Sequence, residues 1–181
     1  MTLSLLPTAD DSRTNATFDE LMWALSRPGL VRTLPFGGFE TLAESLLDRE
    51  CTFFAADNAA LDQRLANTGA QRAALEKAEY VFASLGSEAE VKALSTISIG
   101  SLPYPDEAAT LFALATIGSG RSLRLTGPGI KGSLTIQIGG IDPSFWSMRQ
   151  KAIRYPLGWD LYLVDADRLV GIPRSTKIEV L

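Results

Sequence analysis

Between Arg154 and Val180 the chain reads RYPLGWDLYLVDADRLVGIPRSTKIEV, in which two tight turn sequences, YPLG and GIPRST, each carry or adjoin an arginine. A guanidinium is a planar, permanently charged fork that matches carboxylates and phosphates. Arg154 and Arg174, with their neighbours Tyr155 and Asp160, are therefore the candidate contact residues. Three uses are open to them: an acidic partner surface, a phosphate-bearing ligand, or an internal tie to backbone carbonyls, Asp160 or Asp165. A second stretch, Gly127-Pro128-Gly129-Ile130-Lys131-Gly132, has the GxGxxG spacing of dinucleotide sites. That motif works where a strand leads into a helix whose N-terminus holds a pyrophosphate. Here strand-like SLRLT precedes it and equally strand-like SLTIQI follows, with no acidic residue about 20 positions on. Pro-Gly at the centre of a tight turn fits a type II β-turn better.

Other chemistry is limited by composition. The chain has no histidine and one cysteine, Cys51. Ser-His-Asp and Cys-His nucleophile systems are thereby excluded, as are an intramolecular disulfide, zinc sites built on His or several Cys, and an all-Cys iron–sulfur ligand set. No Walker GxxxxGK[ST] sequence occurs. Acid–base work would fall to Asp106 and Glu107 in PYPDE or to Asp160, residues whose turn positions also suit caps. None of the five lysines stands in a distinctly apolar stretch except Lys177, whose strand position could equally face solvent. The expectation is no catalytic residue, no cofactor and no metal.

The elements that must position these residues form a mixed α/β pattern. Thr17 and Glu20 have capping-box spacing ahead of a helix carrying Phe18, Leu21, Met22 and Leu25 at i, i+3, i+4, i+7 and ending at Pro28-Gly29. Phe39, Leu42, Ala43 and Leu46 predict a second helix. Residues 51–55 and 79–84 predict strands, and the Ala-rich stretch 58–78 a helix broken near Gly69. Ser87 and Glu90 cap a short helix to about Leu94, followed by the loop STISIGSLPYPDE. Residues 109–117, 122–126, 133–138, 159–165 and 176–180 read as strands, the third alternating Leu134, Ile136 and Ile138 with polar residues. Asp142-Pro143 predicts a helix start, with Arg149, Lys151 and Arg154 near its far end. The fold class is α/β, one domain over residues 1–181, a mixed sheet with helices on both faces.

Charge divides the chain. Residues 121–181 hold nine basic and five acidic side chains, net +4, against net −8 over residues 1–120. An acidic pI near 4.9 argues against general nucleic-acid binding, while the basic last third could face an anion or an acidic partner. No apolar run approaches a membrane span, and residues 1–11 lack the basic n-region of a signal peptide, so a cytoplasmic protein is expected.

Four stretches, FDELMWALSRPG (18–29), RLTGPGI (124–130), YPLGWD (155–160) and IPRSTKIEV (172–180), together resemble the PhnH family of the bacterial carbon–phosphorus (C–P) lyase system, and residues 93–111 are similar to the family's central segment. Trp159 and Ala108 depart from it, where a smaller aliphatic residue and a Gly are expected. The resemblance implies a fold like the large domain of pyridoxal-phosphate-dependent transferases without that cofactor, and a homodimer. It also implies assembly with PhnG, PhnI and PhnJ, and an accessory or co-catalytic role in placing a phosphonate on ribose 5-triphosphate. The alternative is a self-sufficient small-molecule enzyme, or a nucleotide- or phosphonate-binding protein, using the Arg-rich turns.

Overall fold

In the computed structural model, which describes residues 7–56 and 58–181, two sheets share one body. The chain order is α1 (Ala9–Ser26), β1 (Arg32–Thr33), α2 (Phe39–Leu46), β2 (Thr52–Ala55), α3 (Ala59–Ala66), β3 (Gln71–Arg72), β4 (Tyr80–Ala83), α4 (Glu88–Ala93), β5 (Thr110–Leu114), β6 (Thr116–Thr126), β7 (Leu134–Gly139), α5 (Pro143–Ala152), β8 (Asp160–Asp165), β9 (Arg168–Ile172) and β10 (Lys177–Val180). The main sheet runs β1-β9-β8-β5-β4-β2-β3, parallel from β8 through β3 and antiparallel at β8-β9 and β9-β1. A second, antiparallel sheet has the order β10-β6-β7.

Strict alternation along the central strands builds the core. Phe82, Phe112, Tyr162 and Val164 face α1, α2 and α3, while Val81, Leu111, Leu161 and Leu163 face α4, α5 and the second sheet. Such two-sided burial is what near-continuous apolar strands of a parallel sheet require. Phe82, Phe112 and Tyr162 are direct neighbours in the register of β4, β5 and β8, and their rings stack at 4.9 and 5.0 Å. The Tyr162 hydroxyl donates to the Leu21 carbonyl at 3.0 Å, which seats α1 on the sheet.

The mixed sheet with helices on both faces agrees with the sequence reading, and several boundaries do not. Helix α1 begins a full two turns early. Thr8 is its N-cap, accepting from the Asp11 N–H at 3.1 Å while Asp11 accepts from the Thr8 N–H at 2.8 Å. Thr17 lies buried inside the helix with its hydroxyl bonded to the Arg13 carbonyl, and Glu20 pairs with Arg32 at 2.6 Å. Capping-box spacing also arises by chance within a helix, and only the tertiary ends tell the two apart. After Gly69 the predicted helix does not resume. Gln71 and Arg72 instead pair with Thr52 and Phe53, and Leu75–Lys77 form one 3-10 turn. The apolar run 109–117 divides at Ala115 between β5 and β6, so the chain passes from one sheet to the other. Helix α5 ends at Ala152, before Arg154. Strand β9 was not anticipated: its hairpin turn uses Ala166 at φ 55° where a Gly or Asn would have signalled it. The reading of residues 1–11 as no signal peptide falls partly on residues 1–6, outside the described chain. Among the described residues no helix is long and apolar enough to cross a membrane.

Candidate functional site in the groove between α5 and β10

Helix α5 is started by Asp142, whose carboxylate accepts from the Ser144 N–H at 2.9 Å and hydroxyl at 2.6 Å. These bonds hold the Asp142 carboxyl below its ordinary range. The helix buries Phe145, Trp146 and Arg149. Facing it, Thr176 donates its N–H to the Pro173 carbonyl at 2.9 Å, closing the turn that leads from β9 into β10. Between α5 and β10 lies a groove of about 760 Å³.

Arg149, only 3% exposed, clasps this turn. Its guanidinium donates to the carbonyls of Pro173 at 3.0 Å and of Ile172 and Thr176 at 3.4 Å. Burial pulls its pKa down to about 10, partly offset by the field of Asp160. The sequence placed Arg149 only as a charge near a helix end. Its spacing from buried Phe145, one turn earlier on the same helix face, was the available signal.

The four sequence candidates part company here. Asp160, at the start of β8, accepts from the Arg174 backbone N–H at 2.8 Å, from Nε at 3.3 Å and from a terminal nitrogen at 2.9 Å. Arg174 also donates to the Pro105 carbonyl in the PYPDE loop. With side chains 17% and 20% exposed, this is a partly buried two-toothed pair that ties three segments together. Arg154 and Tyr155 are exposed, in a turn where Arg154 and Leu157 exchange both backbone hydrogen bonds at 2.9 Å. Tyr155 and Arg174 line the groove. Trp159 is buried in the same core cluster as Phe145 and Trp146.

The glycine motif is a hairpin turn. The Ile130 N–H reaches the Gly127 carbonyl at 3.2 Å, with Gly129 at φ 81° in the left-handed region that a type II turn demands. A Cβ on Gly129 would stand 2.4 Å from the Ser26 carbonyl oxygen, and one on Gly127 3.0 Å from that of Ser175. The stretches SRPG, RLTGPGI and IPRST, far apart in sequence, thus meet through backbone contacts at one place.

Compared with known proteins, the chain matches the family described as "Bacterial phosphonate metabolism protein (PhnH)" over residues 8–179. The chain belongs to the PhnH family. It is 35% identical over 173 residues to a protein of Stutzerimonas stutzeri named C-P lyase subunit HtxG, covering 93% of this chain and 87% of that protein. It is 32% identical over 106 residues to the alpha-D-ribose 1-methylphosphonate 5-triphosphate synthase subunit PhnH of Rhizobium meliloti, covering 57% of this chain and 52% of that one. Membership of the PhnH family makes this chain a C–P lyase subunit homologue, of a kind that works in phosphonate metabolism.

Proposed function

We propose that this chain is an accessory subunit of a C–P lyase core complex, acting as a single domain over residues 1–181. In this reading it assembles with PhnG, PhnI and PhnJ relatives in the cytoplasm and helps form the ribose 5-triphosphate phosphonate intermediate, without a catalytic centre or cofactor of its own. The observation that carries the reading is the family match along nearly the whole chain, residues 8–179. The central parallel strands, covered on both faces, support a scaffold like the large domain of pyridoxal-phosphate-dependent transferases.

Assembly also has surface to work with. Phe18, Met22, Val31 and Phe36 are each about half exposed, on α1 and the segment that follows it. Exposed apolar side chains gathered in one stretch mark contact surfaces more often than isolated ones do. We assign this region to contact with a second copy or with a partner subunit. Coexpression with PhnG, PhnI and PhnJ relatives, followed by size-exclusion chromatography, tests the reading. Co-elution in one peak is expected, and separate elution of this chain from an otherwise intact assembly would overturn it.

A further inference from the structure

The groove between α5 and β10 carries four basic side chains, Arg124, Arg149, Arg174 and Lys177, and one acidic one, Glu179. Two of the four are neutralised, Arg124 by Glu179 at 2.9 Å and Arg174 by Asp160. Among the described residues, Arg149 and Lys177 have no carboxylate within ion-pair distance. Lys177 is exposed at the rim and Arg149 is buried in the wall. The three acceptors of Arg149 are backbone carbonyls, which are dipoles and not counter-charges. Its Nε has no hydrogen-bond partner, and neither has the buried hydroxyl of Thr176 in the same wall. A buried charge of this kind is costly unless an opposite charge lies close by. Asp160 supplies part of that charge from beyond ion-pair distance, and the place left for a closer one is the groove.

The rest of the lining narrows the ligand. Ser147 and Ser175 add hydroxyl donors, and Trp146, Ile153 and Ile178 an apolar side. The volume is that of a small-molecule site. We propose that the groove binds a small molecule with a tetrahedral dianionic head, a phosphate monoester or its phosphonate counterpart. The head meets Lys177 at the rim and the field of Arg149 behind it, and the body lies along Trp146 and Ile153. A carboxylate, with one charge and two oxygens, leaves more of these donors unmet and binds less tightly. The inference does not depend on assembly with other subunits, because it concerns the isolated chain.

Phenyl phosphate is the probe, with inorganic phosphate and benzoate as comparisons. Phenyl phosphate should raise the melting temperature and change tryptophan fluorescence with a Kd of about 1 mM or tighter. Benzoate should bind at least about tenfold more weakly, a difference of roughly 1.4 kcal/mol. Lys177→Glu, an exposed change, should fold normally and lose the phenyl phosphate response. Lys151→Ala removes an exposed charge of α5 outside the groove and should keep it. No response to phenyl phosphate, an equal response to benzoate, an undiminished response in Lys177→Glu, or an equal loss in Lys151→Ala would each overturn the proposal.

Discussion

Asp160 accepts from both the backbone N–H and the guanidinium of Arg174, so removing either side chain leaves the other charge half-buried without its partner. Arg174→Ala and Asp160→Ala should each lower stability by about 2–3 kcal/mol in urea denaturation, and the double variant should lose less than the sum. Arg154→Ala, by contrast, removes an exposed side chain with no ion pair among the described residues, and should leave stability within about 0.5 kcal/mol of the parent. If Arg154 serves a partner surface, its loss appears only in affinity for the other subunits. The Tyr162 hydroxyl is a third case at this scale. Tyr162→Phe should cost about 1 kcal/mol, because only the bond to the Leu21 carbonyl is lost while the stacked ring remains.

At the scale of elements, the groove depends on how α5 and the glycine hairpin are held. The Asp142 carboxylate caps α5 as the anion, with its folded pKa below the ordinary 3.8. A depressed carboxylate contributes stability above its unfolded pKa and loses it as pH falls through the folded one. The melting temperature of Asp142→Asn, which retains a capping oxygen, should therefore lie below the parent's at pH 7. The gap should close progressively as pH drops below 3.8. The 127–132 hairpin makes the opposite demand, for the absence of a side chain. Gly129→Ala meets both a left-handed backbone and the Ser26 carbonyl oxygen at 2.4 Å. It should lower stability by about 2 kcal/mol or more and loosen the end of α1, read as faster amide exchange around Ser26.

For the whole molecule, the exposed apolar residues of α1 and its following segment are the proposed contact surface, and the C-terminal groove the proposed ligand site. The two should be separable. If the surface joins two copies, Met22→Glu, on the exposed side of α1, should convert a dimer of about twice the 19.5 kDa chain mass into a monomer by light scattering, with an unchanged melting curve at low concentration. It should leave the phenyl phosphate response intact. A monomeric parent chain would end the dimer proposal while leaving family membership untouched.

Much of this architecture was legible in the residues themselves. Alternation of apolar side chains marked β7, short apolar runs marked β2, β4 and β8, and Ser87, Asp142 and the Pro-Gly turn announced their structures through local hydrogen-bonding chemistry. The four family stretches were legible for a related reason: each is short and carries a Pro, with Gly close by in three of them, so its turn is set by backbone shape. Local signals could not say which strands would lie beside one another. The chain's passage out of the main sheet between β5 and β6, the hairpin of β9 without a glycine, and the edge pairing that displaced helix after Gly69 are all settled by burial against distant segments. The same holds for the arginines. Sequence set Arg154 and Arg174 apart because turns adjoin them, yet Arg174 is consumed by Asp160, and among the described residues the buried guanidinium without a carboxylate in ion-pair distance is Arg149. Charge and type are properties of a residue in its sequence, whereas the presence of a carboxylate within ion-pair distance depends on which segments tertiary folding brings together.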